Sequence, residues 1–473
     1  MTPQERATPV SQDATQPGRD TEPQHRPESD GDGVDEALAL VARPRPRPAE
    51  SHRATPWSDA RAVAARAGAA AGAGRAARSV PLGQALGQVL AEPLRALTDL
   101  PSFDTSAMDG WAVAGPGPWE IRETEAVLAG QTPAAALADG TAVRIATGAR
   151  IPAETTAVLR SEHSRTDSGG HLHAVRPVVQ GQDIRPRGQE CRSGDQLLPA
   201  GTTVSPAVLG LAAAAGYDEL RTLLRPRVEI LVLGDELLTA GRPHDGLIRD
   251  ALGPMLGPWL SALGAEVLAT RRIGDDADAL HAAVTGSEAD LVITTGGTAA
   301  GPVDHVHPVL AKAGAALLVD GVKVRPGHPM LLARLDPGPS GGQGSQGGEG
   351  RPVRHVVGLP GNPLAAVSGL LTLAEPLLRA LAGAPVPPPY RVPVRDEVHG
   401  HPHDTRLVPI VHHGDRAVPL HYNGPAMLRG IAAADGMAVV PPRGARPGDA
   451  LEILDLPWTV APAQDASQGV CFT

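Results

Sequence analysis

Residues 228 to 236 read Val228-Glu229-Ile230-Leu231-Val232-Leu233-Gly234-Asp235-Glu236, and this run decides the fold. A nearly unbroken apolar stretch of strand length predicts a strand buried on both faces, as in a parallel sheet flanked by helices. A glycine and two carboxylates follow at its carboxyl end, where open α/β sheets bind their ligands. The pattern repeats downstream. Helix signals span residues 252–263, a strand is expected at 266–268, a helix at 276–284, and a second buried strand at 290–295 ends in Gly296-Gly297. A helix around 307–313 and two further strands lead to Gly358-Leu359-Pro360-Gly361-Asn362-Pro363, and a long helix runs on to about residue 381. Strands alternating with helices predict an α/β domain with a largely parallel sheet.

On either side the composition shifts. Pro385-Val386-Pro387-Pro388-Pro389 reads as a rigid linker, and the short apolar runs after it predict a β-rich C-terminal domain. Upstream, residues 57–90 carry helix-period Ala, Val and Leu, and 99–182 are short strand-like runs broken by Gly and Pro. Residues 205–216 predict a helix with Gly216 as C-cap. Residues 1–55, rich in Pro, Gln, Asp, Glu, Ser and Arg, are expected to be disordered. The Gly/Ser/Gln-rich stretch 337–350 is expected to be a flexible loop between two strands.

The 473 residues suffice for two to four domains, with a core built on Ala, Val and Leu because aromatics are only 2%. A net charge of −10, with no Lys/Arg run interleaved with aromatics, argues against a nucleic-acid surface. The two cysteines, Cys191 and Cys471, have no metal or redox spacing, so neither a disulfide framework nor a zinc site is expected. No apolar run of membrane-spanning length stands out, and a soluble cytoplasmic protein is the expectation. His401, His403, His412 and His413 are read as solvated side chains, since no carboxylate or Cys partner sits at set spacing.

Four polar signals fall at expected strand ends: Gly234-Asp235-Glu236, Asp275-Asp276, Gly296-Gly297-Thr298 with Asp304, and Gly358 to Pro363. Glycines let backbone N–H groups approach phosphate closely, and a following helix N-terminus favours negative charge. Converging carboxylates can hold a divalent cation against that phosphate or activate water. Each signal has a plainer meaning: a tight turn for Gly-Gly, a helix cap for Asp276, a solvent-facing side chain for Glu236. Acidic strand ends beside two glycine turns are more than capping needs.

Upstream lies Pro101-Ser102-Phe103-Asp104-Thr105-Ser106-Ala107-Met108-Asp109-Gly110-Trp111-Ala112-Val113, a polar loop with aromatic anchors in a chain poor in aromatics. Gly110 is expected to let the backbone turn tightly and present Asp109. By itself this reads as an Asp-capped turn. The whole string, however, resembles the signature of the molybdopterin molybdenumtransferase family (MoeA and the E domain of gephyrin). Arg144-Ile145-Ala146-Thr147-Gly148-Ala149, Asp183-Ile184-Arg185-Pro186-Arg187-Gly188-Gln189-Glu190, the α/β signals above and Arg325-Pro326-Gly327-His328-Pro329 follow in the family's order. The resemblance covers roughly residues 57–455.

The resemblance implies a four-part subunit: a split elongated domain (56–98 and 183–225), a β-rich module (99–182), a MogA-like molybdopterin-binding α/β domain (226–384) and a C-terminal β-domain (385–460). It implies a homodimer whose site lies between the α/β domain of one subunit and the β-rich module of the other. The implied reaction starts from adenylylated molybdopterin and molybdate, cleaves the adenylate with Mg2+, releases AMP and inserts the metal. The catalytic residues so implied are Asp109, Glu236, Asp275 and Asp304, with Asp235, Glu236 and Asp304 holding Mg2+. The ligand would be held by Thr147, Asp250, Gly296, Gly297, Thr298, Arg325, Gly327, His328, Gly361, Asn362 and Pro363. Contacts with other cofactor-synthesis enzymes are also implied, but none with nucleic acid or membrane.

The chain departs from the family pattern at several positions. Asp250-Ala251-Leu252 stands where the family commonly has Asp-Ser-Asn or Asp-Thr-Asn, and Arg325 and His328 stand for lysines. Gly321 aligns with a further family lysine, Gln189-Glu190 with a Glu-Asp pair, and Ala365 with a Ser. Arg for Lys keeps the charge but changes donor geometry, and His for Lys makes the charge depend on pH. Two other readings therefore stay open, a non-catalytic molybdopterin-binding paralogue or scaffold and a hydrolase of another nucleotide pyrophosphate.

Overall fold

A computed structural model describes residues 54–122, 126–131, 135–299, 304–336 and 353–458. The expected tail, apart from residues 54 and 55, the 337–350 loop and Cys471 lie outside these residues. The run 227–233 forms the strand Arg227–Leu233 inside a six-stranded sheet. Glu266–Ile273 pairs with it on one side, and Leu291–Thr295 and Arg354–Leu359 follow on the other, all parallel. Leu331–Leu335 and Ala316–Asp320 continue the sheet in antiparallel register.

The strand pattern explains why both faces are covered. Val228, Ile230, Val232, Leu291 and Ile293 face one core with the helices Leu252–Ala262 and Pro363–Gly369. Leu231, Val292 and Val356, one residue out of phase, face a second core with the helices Ala277–Gly286 and Val306–Lys312. Side chains alternate across a strand, so an unbroken apolar run feeds two cores at once.

Helical structure continues from Pro363 through a π-helical stretch, Leu370–Ala374, and on through Glu375–Leu381. This is the long helix expected up to about residue 381; against the expectation of no such run, it is long and apolar enough to cross a membrane, yet it is mostly buried. It is a core helix packed against Trp57–Gly72. A Cβ at Gly68 would overlap the Leu377 carbonyl oxygen, so glycine permits the close approach of the two helices. Trp57 Nε1 donates to Thr372 Oγ1 at 3.1 Å, and Arg61 donates to the Leu371 carbonyl.

Of the helix-period stretch 57–90, Trp57–Gly72 and the short Leu82–Ala85 are helical. After Gly74, at φ +74°, the chain forms the strand Ala77–Pro81, paired with Glu219–Leu223. Val80, Leu90, Leu94, Val204, Val208 and Leu220 share one core, joining segments on both sides of the intervening region. The helix Pro206–Ala214 starts as expected, with Ser205 Oγ accepting from the Val208 N–H, and Gly216 follows at φ +100°.

Between these segments lies a second six-stranded sheet, in the order Ala157–Arg160, Gly110–Val113, Thr141–Ile145, Trp119–Ile121, His171–Ala174, Ser164–Thr166. The C-terminal sheet draws strands from three parts of the chain. Val322–Arg325 leaves the α/β sheet to pair with Thr405–His413, and Thr55–Pro56 pairs with Val322–Arg325 in turn. Gly436–Val440, Ala450–Asp455 and Tyr390–Pro393 complete the path.

Candidate functional site: an acidic cleft at the strand ends

The neighbours of Arg227–Leu233 in the sheet, Glu266–Ile273 and Leu291–Thr295, lie on opposite sides of it, so the chain reverses its order there. A crevice opens at the carboxyl ends of strands at such a point. It is a cleft of about 650 Å³. Glu236, Asp250, Asp275, Gly296, Gly297, Thr298, Asp304, Gly361, Asn362 and Pro363 all line it. Asp276, the other half of the Asp275-Asp276 signal, lines it too, as do Arg249 and His305, which carry no signal in the sequence.

The turns are tightly built. Gly234 sits at φ +127°, and its Glu236 neighbour folds back so that a Cβ at 234 would overlap the carboxylate. Arg272, from the adjacent strand, donates to the carbonyls of Gly234 and Asp235 at 3.1 and 2.9 Å and pins the turn. Asp235 does not line the cleft; its Oδ2 accepts from the Asp275 N–H at 3.4 Å and ties two strand ends together. Gly296 and Gly297 sit at φ +86° and +68°, where a side chain is strained. A Cβ on Gly297 would also lie 3.0 Å from Val306 Cγ2.

Several backbone donors expected to face phosphate are already engaged. The Gly296 N–H donates to the Leu359 carbonyl at 2.8 Å. At the start of the buried helix, the Leu364 and Ala365 N–H groups donate to the Pro425 carbonyl at 2.9 and 3.3 Å. Pro425 brings Ala426 into the cleft wall from the C-terminal part of the chain. No sequence signal pointed to this contact, because nothing near residue 425 resembles a binding motif. Asp250 Oδ1 accepts from the Leu252 and Gly253 N–H groups, both at 2.9 Å, and so caps the next helix. Asp276 caps likewise, accepting from Asp278 and Ala279.

The Arg325 to Pro329 segment behaves differently from expectation. Arg325 lies on the strand that joins the C-terminal sheet, and its Nε pairs with Asp404 Oδ2 at 2.9 Å. His328 Nδ1 contacts the Val322 carbonyl at 2.8 Å, so that nitrogen carries the proton. Gly327, at φ +113°, packs against the Ala365 carbonyl and Ser368. Of the segment, Pro329 lines the cleft.

Asp109 and Thr147 are not part of this cleft either; they meet each other at one end of the smaller sheet. Gly110 does not adopt a left-handed conformation. Its requirement is steric, since a Cβ there would overlap the Leu159 carbonyl oxygen on the neighbouring strand. Arg144 lies over the Trp111 ring at 5.2 Å, and Arg150 over Phe103 at 5.5 Å. Within the loop Asp104 and Asp109 are exposed, while Thr105 and Ser106 are buried.

Among the described residues no group of three or more His, Cys, Asp or Glu side chains is arranged to hold a metal ion, the C-terminal histidines included. The cleft nevertheless gathers five carboxylates, Glu236, Asp250, Asp275, Asp276 and Asp304, against one guanidinium, Arg249. Such a lining repels phosphate unless a cation lies between them. Mg2+ is commonly held by one or two carboxylates plus substrate phosphates, so the donor set fits a cation that arrives with its ligand.

The fold and cleft thus define a multidomain protein built around an α/β ligand-binding domain. Residues 55–216 match the MoeA N-terminal region (domain I and II), 229–380 a probable molybdopterin binding domain, and 391–456 the MoeA C-terminal region (domain IV). The chain is 36% identical to molybdopterin molybdenumtransferase 2 of Mycobacterium tuberculosis over 77% of this chain and 90% of that protein. It is 31% identical to the molybdopterin molybdenumtransferase of a Nostoc species, over 76% and 84%. A crystal structure of the molybdopterin biosynthesis MoeA protein from Pyrococcus horikoshii OT3 shares the fold, with a TM-score of 0.65 at 22% identity over 85% of this chain and 99% of that one. The chain belongs to the molybdopterin molybdenumtransferase family, enzymes of molybdenum cofactor biosynthesis.

Proposed function

We propose that the acidic cleft receives adenylylated molybdopterin and that the enzyme cleaves its pyrophosphate bond, releases AMP and inserts molybdate. The observation that carries this reading is the gathering of five carboxylates at the switch point of the sheet, beside turns built on Gly296, Gly297 and Gly361. Glu236 and Asp304 are the residues we assign to Mg2+, which would neutralise the phosphate charge when bound. Asp275 would orient a water or the phosphate. Thr298 and Asn362 line the cleft and offer side-chain hydrogen bonds to the ligand. Asp235 and Arg272 act on the turn rather than on the ligand, through the bonds described above.

Asp109 and Thr147 would act on the cleft of a second subunit. In this reading the protein is a homodimer, its subunit is divided at the boundaries read from the sequence, and it works in the cytoplasm beside other cofactor-synthesis enzymes. The test is a reconstituted assay with the full-length chain, adenylylated molybdopterin, molybdate and Mg2+. AMP release that depends on molybdate and Mg2+, with loaded cofactor as product, is expected. Binding without AMP release would overturn the catalytic assignment.

A further inference from the structure

The smaller sheet carries a second cavity, of about 730 Å³, at the end away from Asp109 and Thr147. Asp109 precedes the strand Gly110–Val113, and the turn 115–118 follows it, so the strand separates the two features. The indole of Trp119, 4% exposed, contributes to its lining, and Pro116, Pro118 and Pro177 add apolar wall. Trp119 Nε1 donates to the Gly115 carbonyl at 3.0 Å, and a Cβ at Gly117 would lie 2.8 Å from the ring. Glycine thus lets the turn close on the indole and shapes the cavity before any ligand arrives.

The ionisable residues lining this cavity are Arg165, His173 and Arg176, and none is acidic. His173 contacts Asp167 Oδ2 at 2.7 Å, outside the lining. The guanidiniums of Arg165 and Arg176 have no ion-pair or hydrogen-bond partner among the described residues. In a chain of net charge −10, two unpaired guanidiniums beside an aromatic and three prolines form a local inversion of charge. The volume falls within the roughly 300–1,000 Å³ range of small-molecule sites. Planar guanidiniums suit carboxylate and phosphate oxygens.

We propose that this cavity binds a small organic anion, a carboxylate or phosphate on a flat apolar body, with the body against Trp119 and the prolines and the charge on Arg165 and Arg176. The site is separate from the acidic cleft, whose lining repels an anion unless a cation accompanies it. Calorimetric titration of the full-length protein with phenyl phosphate and, separately, benzoate tests it, with phenol as the uncharged control.

Saturable one-site binding of at least one anion, little binding of phenol, and a loss of roughly tenfold or more in the Arg165→Gln/Arg176→Gln double variant are expected. Asp304→Asn, in the other cleft, should leave that binding unchanged. Phenyl phosphate against benzoate tells a phosphate from a carboxylate. Failure of both anions to bind, equal binding by the double variant, or loss of binding in Asp304→Asn would each overturn the proposal. His173 ring resonances that stay still while the parent chain is titrated would overturn it without any variant.

Discussion

Asp109 Oδ1 accepts the backbone N–H of Thr147 at 2.8 Å, although 38 residues separate the two in the chain. Gly110 pairs with Ile145 across adjacent antiparallel strands, so the bond closes the sheet one step beyond its last register pair. The carboxylate thereby holds the Thr147 loop in place while staying exposed at the end of the sheet. If this end completes a partner's cleft, two defective subunits should complement each other. Mixing Asp109→Ala with Asp304→Ala chains should restore part of the activity, because one site of each heterodimer then carries both native groups. A strictly monomeric mass by light scattering at micromolar concentration would sink the idea.

Asp304→Asn keeps the size of the side chain and removes its charge. AMP release should fall by about a hundredfold or more, the scale of losing one charge-stabilising group in a preorganised site. Circular dichroism should match the parent. Near-parental AMP release would remove Asp304 from the mechanism.

Ala251 and Leu252 stand where the family offers a hydroxyl and an amide. Both line the cleft, but Leu252 is also part of the main core, at 5% exposure. Ala251→Ser should tighten a nucleotide-pyrophosphate ligand several-fold, since one neutral hydrogen bond is worth about 1 kcal/mol. Leu252→Asn should instead lower unfolding stability by about 2 kcal/mol or more, as a buried apolar side chain gives way to an amide. Calorimetry and chemical denaturation separate the effects; a Leu252→Asn chain as stable as its parent would show that the position is not packed.

His355 is buried at 1% exposure, and its Nδ1 has no hydrogen-bond partner. Burial foremost, then the nearby Arg334 charge, lowers its pKa from 6.5 to about 4, against a small opposing effect of Asp336. Between those values the unfolded chain binds a proton that the folded chain excludes, so stability should fall as pH drops from about 6.5 towards 4. The full effect is on the order of 3 kcal/mol. His355→Leu should flatten that part of the stability–pH curve, measured by urea unfolding at stepped pH. An unchanged slope would show that other groups cause the acid sensitivity.

Gly110→Ala places a methyl group against the Leu159 carbonyl in the centre of the smaller sheet. A loss of about 1–3 kcal/mol is expected from overpacking. Hydrogen exchange should show the loosening within Gly110–Val113 and Ala157–Arg160 first. Protection equal to the parent's would mean that the strands separate freely to admit the methyl.

The strand Arg227–Leu233, the helix before Gly216 and the acidic strand ends were legible in the sequence, because each depends on residues a few positions apart. Apolar spacing sets which faces must be buried, and a cap needs only its own turn. The cleft residues from Gly234 to Pro363 could be named for the same reason, since strand ends are local features and an α/β sheet brings them together.

Tertiary structure alone decided where Val322–Arg325 pairs, and with it that Arg325 meets Asp404 rather than the cleft. It alone brought the Pro425 carbonyl onto the Leu364 N–H, turned Asp235 towards Asp275, and put Arg272 on the Gly234 turn. Hydrogen-bond partners across long loops are chosen by which surfaces pack against one another. Any exposed Arg or Asp carries the same local signal whether its partner is a ligand or another strand, so the sequence named the chemistry and the packing of remote segments assigned the partners.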